Sequence, residues 1–201
     1  MKAMNFYQKN PDCDFLTVNM HIDGDKDPRD IGILSKSVGY SCMRTWYLRH
    51  WLGGPTSSIS IRSEMLKKIL PVPYLNTWRI SADTCLVYGA SLLGAKKYFL
   101  NERLVHYQVH GENNYYGKKR SRSRMFKNQM AISALFQFFI QENNLMPHPN
   151  LFLKEFEALP ELDLGDLFVY LKVILAMNEG FIYSVYLTYR LVRHYLRSRF
   201  S

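Results

Sequence analysis

Apolar positions along the chain switch between a period near two and a period near 3.6, and the switches divide it into elements. Residues 1–10 (MKAMNFYQKN) read as the last turns of a helix, stopped at Pro11 because proline disfavours helix in the residue before it. Residues 13–22 (CDFLTVNMHI) are β-branched and aromatic with rough alternation, which predicts a strand, and 23–28 form a polar turn. Residues 31–51 have no clear period. After Gly53-Gly54-Pro55, the alternating run 56–61 (TSSISI) predicts a short strand, and 62–70 a helix ended by Pro71 and Pro73.

The clearest helical pattern starts at Ser81. Leu86, Val87, Ala90 and Leu93 recur at three and four until Gly94, with Ser81 as N-cap and Asp83 in the first turn. Residues 97–100 and 105–109 predict two strands around an Asn101-Glu102 turn, which deliver His110 to a loop. Beyond Gly117 only helices are predicted. Residues 125–145 carry one apolar stripe (Ile132, Leu135, Phe136, Phe139, Ile140), 151–159 form another helix, and 165–200 give one or two more, divided near Gly180.

The chain has 201 residues, 47% of them hydrophobic, enough for one ordinary core plus an extension. Its net charge of +9 is local, concentrated in Lys118, Lys119, Arg120, Arg122, Arg124 and Lys127 and again in Arg190, Arg193, Arg197 and Arg199. Such clusters attract nucleic-acid phosphates, anionic lipid headgroups or a nucleotide-linked substrate, and sign alone does not choose among them. Cys13, Cys42 and Cys85 are widely spaced with no Cys-x-x-Cys pair, which fits a reducing, cytoplasmic setting better than a disulfide framework or a zinc knuckle. The N-terminus lacks a secretory pattern. The longest apolar region, 167–189, is interrupted by Lys172, Asn178, Glu179 and Gly180 and falls short of a spanning helix.

Two familiar phosphate loops are excluded, since no Lys-Ser/Thr follows Gly53-Gly54 and nothing matches G-x-G-x-x-G. Asp23, Asp25 and Asp27 have the spacing of a calcium-loop opening. Pro28 and Leu34 stand where that loop needs Gly and Glu, so a solvated turn is the better reading. Trp46, Tyr47, Leu48, Trp51 and Leu52 form an aromatic patch interleaved with Arg44, Arg49 and His50, of a kind that can stack bases or sugars but more often packs a core. Asp83 and His110 remain as the reactive pair. A helix N-terminus favours the ionised form of Asp83, whether it serves chemistry or only the helix. A loop histidine can bind a transition metal or simply hydrogen bond at the surface.

Four ordered pieces carry a family likeness: residues 7–15 (YQKNPDCDF) before a strand; Pro55-Thr56-Ser57-Ser58 leading to Ile61-Arg62 and Leu70-Pro71; Ser81-Ala82-Asp83 before a helix; and residues 104–113 (LVHYQVHGEN). In this series the chain resembles the C-terminal half of an inverting, family 2 glycosyltransferase of the GT-A type. The likeness covers roughly residues 4–117, and its strength is the order of the pieces. It implies an α/β fold: an incomplete GT-A-like mixed sheet with flanking helices over residues 1–117, the acceptor side of the domain. A basic linker and α-helical extension would fill 118–201.

The same likeness implies transfer of a sugar from a nucleotide-sugar to an acceptor hydroxyl, on a glycan or a lipid-linked molecule, with inversion. Asp83 takes the place of the catalytic base, although many relatives have Glu-Asp where this chain has Ala82-Asp83. His110 takes that of a late histidine contacting the metal or the diphosphate, and Trp78, Arg79 and Asn113 those of substrate contacts. A divalent metal, Mn or Mg, is expected for the intact enzyme. Its principal Asp-x-Asp ligands would precede residue 1, because Asp23-Gly24-Asp25 lies on the wrong side of the strand. The chain therefore reads as a fragment, a mis-started frame or half of a split enzyme. Residues 181–200, basic and amphipathic, suit peripheral contact with the inner face of a membrane. The alternative is a non-catalytic basic module that binds nucleic acid or an anionic membrane surface through 118–127; nucleic acid has no part in the sugar-transfer reading.

Overall fold

A computed structural model describes residues 2–23, 35–73, 75–79, 81–108 and 121–200. After α1 (Lys2–Lys9), two long strands, β1 (Phe15–Asp23) and β4 (Lys97–Gln108), lie parallel at the centre of a four-stranded sheet. β2 (Lys36–Gly39) pairs antiparallel with β4 and β3 (Ile59–Ile61) antiparallel with β1, giving the order β2-β4-β1-β3. The connection between the parallel strands carries α2 (Cys42–Leu48), α3 (Ser63–Ile69), α4 (Leu75–Trp78) and α5 (Ala82–Leu92). Four helices follow: α6 (Arg122–Glu142), α7 (Pro149–Glu157), α8 (Leu164–Met177) and α9 (Phe181–Phe200). The expected α/β class with a helical stretch after the sheet is what the structure has.

Alternation along β1 decides where each layer packs. Leu16 and Val18 join Cys13 against Phe6 and Tyr7 of α1, while Phe15 faces α3, α5 and α6 in the main core. A separate helical core joins Met43 of α2 to Phe152 and Phe156 of α7, Tyr170 and Ile174 of α8, and Leu187 and Leu191 of α9. α2 belongs to both, since Trp46 packs on the main core and Tyr47 and Leu48 on the helical one. The aromatic patch of the sequence is thus packing.

Two expectations need correction, and a third holds in part. Residues 97–108 are not two strands around a turn, because β4 runs unbroken through Asn101-Glu102. The polar pair is absorbed as a register shift, with Val18 opposite Leu100 and Asn19 opposite Arg103. Asn19 is buried and its side-chain amide donates to Asn101 Oδ1 at 2.8 Å, so a tertiary hydrogen bond replaces the predicted turn. Thr56–Ser58 is a 3₁₀ turn, and only Ile59–Ile61 is strand. Ser81 occupies the N-cap of α5 without a side-chain cap bond, whereas Asp83 Oδ1 accepts from the Thr84 N–H at 2.9 Å.

Residues 31–51 had no period because their two short elements are held by distant partners. Ser41 gives α2 no side-chain cap; Glu155 of α7 accepts from the Met43 and Arg44 N–H groups at 2.8 and 3.2 Å instead. The Tyr170 hydroxyl donates to the same carboxylate at 2.9 Å. Arg44 is 3% exposed, donates to the Val38 and Tyr40 carbonyls and approaches Asp166 at 3.5 Å. Lys36 at the start of β2 bridges Asp163 and Asp166, which form the capping box of α8. Burial pushes the Glu155 carboxyl up, and its backbone donors with Arg44 pull it back.

Gly89 is where α5 meets α6. A Cβ there would lie 2.7 Å from Phe139 Cζ and 2.9 Å from Ile69 Cγ2. Gly89→Ala in a helix interior would ordinarily stabilise by about 0.5–1 kcal/mol; overpacking instead predicts a loss of about 1–3 kcal/mol in denaturant unfolding. Adding Phe139→Leu should recover part of that loss, and independent losses from the two changes would deny the contact. Glu155→Ala should cost about 3–5 kcal/mol by stranding its buried partners, whereas loss of the surface Glu157–Arg190 pair by Glu157→Ala should stay within about 1 kcal/mol.

Candidate functional site

The C-terminal ends of parallel strands are where open α/β sheets bind ligands, and here β1 and β4 define that edge. α5 ends just before β4 begins, and Asp83 stands in its first turn, at the other end of the helix. Asp83 is half-buried and lies one turn before Val87 on the same helix face. Val87 meets the Gly53-Gly54 segment so closely that a Cβ on Gly53 would come within 2.4 Å of its Cγ2. At Gly54 a Cβ would lie 2.4 Å from Ser58 Oγ and 2.9 Å from Thr17 Cγ2 of β1. Ser57 Oγ then reaches Met20 Sδ at 3.7 Å. The glycine segment therefore threads between β1 and α5, and no side chain larger than hydrogen fits at either glycine without displacement.

Lys97, wholly buried at the first position of β4, fixes that arrangement. Its Nζ donates to the Val87 carbonyl at 2.8 Å and the Leu52 carbonyl at 3.0 Å, tying α5 to the residue before Gly53, and stands 4.4 Å from the Phe15 ring centre. Burial, aided by Arg44, holds its pKa well below the ordinary lysine value. Two N–H bonds remain on a neutral amine, as many as the two carbonyls use. On the outer side, Trp51 donates Nε1–H to the Gly53 carbonyl and packs edge-on against Tyr88, whose hydroxyl donates to the Arg49 carbonyl.

Sequence-predicted residues divide as follows. Asp83 is in the first turn of α5, one turn before the Val87 that meets Gly53. Trp78, expected at the substrate, is 5% exposed and packs in the main core; Arg79 is exposed beyond the end of α4. His110 and Asn113 lie outside the described residues, as do Asp25, Asp27 and Lys118 to Arg120 of the basic cluster. His106 lies beside His21 in register on the neighbouring strand, the rings 5.2 Å apart. That pairing had no sequence signal, since the bulges that set the register depend on Asn19. Among the described residues no group of three or more His, Cys, Asp or Glu could hold a metal ion. They do not supply the metal ligands that the resemblance implies.

Burial pushes the thiols of Cys13, Cys42 and Cys85 up to about 12, which leaves no ready thiolate nucleophile near neutral pH. A hollow of about 430 Å³ between Trp46, Leu93 and Leu145 has a largely apolar lining; it adjoins the C-terminal end of α5, opposite Asp83.

An 89-residue stretch of the chain is 36% identical to an uncharacterized glycosyltransferase, alr2836, of Nostoc sp.. The chain is similar to part of a glycosyltransferase. The match takes in 44% of the chain and spans only 27% of the relative's length. No protein-family model and no solved structure matches. No helix among the described residues is long and apolar enough to cross a membrane.

The depressed Lys97 pKa has a signed consequence. The group's contribution to stability is fully present above the unfolded lysine value of about 10.4 and is lost as pH falls through the lower folded value. Denaturant unfolding at pH 7 and pH 10 should show the stability difference between wild type and Lys97→Met moving in favour of wild type at the higher pH. A pH-independent difference would mean that Lys97 stays charged when buried.

Proposed function

We propose that this chain forms the acceptor side of a sugar-transfer site. In this reading a nucleotide-sugar is the donor and the hydroxyl of a glycan or lipid-linked acceptor is the nucleophile. The reading rests on Asp83 in the first turn of α5, one turn from the Val87 that meets the Gly53-Gly54 segment, in a chain similar to part of a glycosyltransferase.

Asp83 would act as the base. Its carboxylate takes the proton of the acceptor hydroxyl while that oxygen attacks the anomeric carbon from the face opposite the leaving group. The new C–O bond forms as the bond to the diphosphate breaks and its electron pair leaves with the nucleoside diphosphate, so configuration inverts. The helix terminus favours the carboxylate form that a base needs. The described residues hold no metal ligand set, and no step is assigned to a metal.

Asp83→Asn keeps the shape and removes the base. In the full product of this reading frame it should lower kcat for nucleoside diphosphate release from the accepted nucleotide-sugar by about 10²- to 10⁴-fold, with little change in KM for the donor. Unchanged turnover would remove Asp83 from the mechanism. No release from any nucleotide-sugar, with salt-sensitive DNA or RNA binding in its place, would favour the basic-module reading.

A further inference from the structure

The helical stretch presents a second surface that the sugar-transfer reading does not use. α9 buries Leu187, Leu191 and Tyr195 in the helical core, which turns the opposite face outward. At helical spacing that outward stripe reads Ile182, Val185, Tyr186, Tyr189, Arg193, Leu196 and Arg197. Phe181 and Ile182 are 84% and 85% exposed, and Leu175, the last outward apolar residue of α8 before the Asn178-Glu179-Gly180 turn, is 79% exposed. A groove at that turn is bordered by Gly180, Phe181, Ile182 and Tyr186. An exposed apolar surface of this extent on a folded chain marks an interaction site.

Charge selects the occupant. α9 contains no acidic residue, and its second half carries Arg190, Arg193, Arg197 and Arg199. Glu157 of α7 takes up Arg190 at 3.4 Å and Glu179 lies in the turn; Arg193 and Arg197, on the outward stripe, meet no described carboxylate. An isologous pair of copies would bring two such cationic stripes to one interface with no acid on the helix to neutralise them. An anionic lipid surface meets both halves at once. Phe181, Ile182 and Val185 enter the boundary between headgroups and acyl chains, the tyrosines stay at headgroup depth, and Arg193 and Arg197 reach the phosphates.

We propose that the outward face of α9 and the α8–α9 turn bind the surface of an anionic membrane without crossing it. The docking is independent of the sugar-transfer chemistry, and its test needs no catalytic readout. The whole chain should co-sediment with phosphatidylcholine vesicles containing phosphatidylserine, weakly with phosphatidylcholine alone, and less as salt rises. Ile182→Glu with Tyr189→Glu should abolish binding. Arg193→Gln with Arg197→Gln, both exposed and safe for folding, should weaken it about 30-fold. Phe126→Glu on the exposed side of α6 should leave it unchanged. Failure of the wild-type chain to bind, equal binding to neutral vesicles, or full binding by the arginine variant would each overturn the proposal. So would a dimer in sedimentation analysis that these variants disperse, without vesicle binding, because the face would then join copies of the chain.

Discussion

The Glu155 carboxylate, buried among the N–H groups at the start of α2 and the Tyr170 hydroxyl, is the contact on which the arrangement of layers depends. A seven-residue helix with no side-chain cap of its own has little stability alone, because nucleation fixes several residues for one hydrogen bond. Glu155 supplies the missing acceptor from another part of the chain, and Arg44 answers with its contacts to the β2 end and to Asp166. Desolvation of these charges is repaid only while all partners are present. The network therefore acts as a registry device: α7 and α8 dock on α2 where Glu155 meets the Met43 and Arg44 N–H groups and the Tyr170 hydroxyl, partners that a shifted docking would strand.

From α2 the constraint passes to the candidate site. The chain leaves this helix through Arg49, whose backbone is left-handed and whose guanidinium lies 3.5 Å over the Phe136 ring of α6, and runs on to Gly53-Gly54. Lys97 then ties Leu52 to Val87, so the glycine segment is held against α5 one turn below Asp83. In the separate helical core α9 packs on α7 and α8, which leave its outward face uncovered. The Gly53-Gly54 segment with α5 and the outward face of α9 are thus separate surfaces of one packed unit, the first carrying the proposed acceptor site and the second the proposed membrane contact.

Elements with strong local signals were legible. β1, α3, α5 and the last four helices follow from periodicity, from prolines and from Gly94 and Gly180, both of which adopt positive φ where a helix ends or begins. Asp83 could be placed at a helix start for the same reason. β2 and α2 could not be read, because β2 is completed only by Lys97–Phe99 of β4 and α2 by Glu155 and Asp166, more than a hundred residues away in sequence. The break in 97–109 was read as a turn since Asn101-Glu102 is polar; only the buried Asn19 amide makes a bulge there the better solution. Trp78 looked available for a substrate, but no local pattern shows that α6 will cover it.

The sequence by itself determined the alternation of β1, the helix on whose N-terminus Asp83 sits, and an α9 with several arginines and no acid. These are properties of spacing, and spacing is local. Tertiary structure alone decided the parallel register of β1 and β4, the pairing of His21 with His106, the closeness of Gly53 to Val87 and the burial of Lys97. Each depends on which distant groups become neighbours when water is excluded, and a buried lysine or an uncapped helix can be recognised only once the carbonyls and carboxylate that satisfy it are in place.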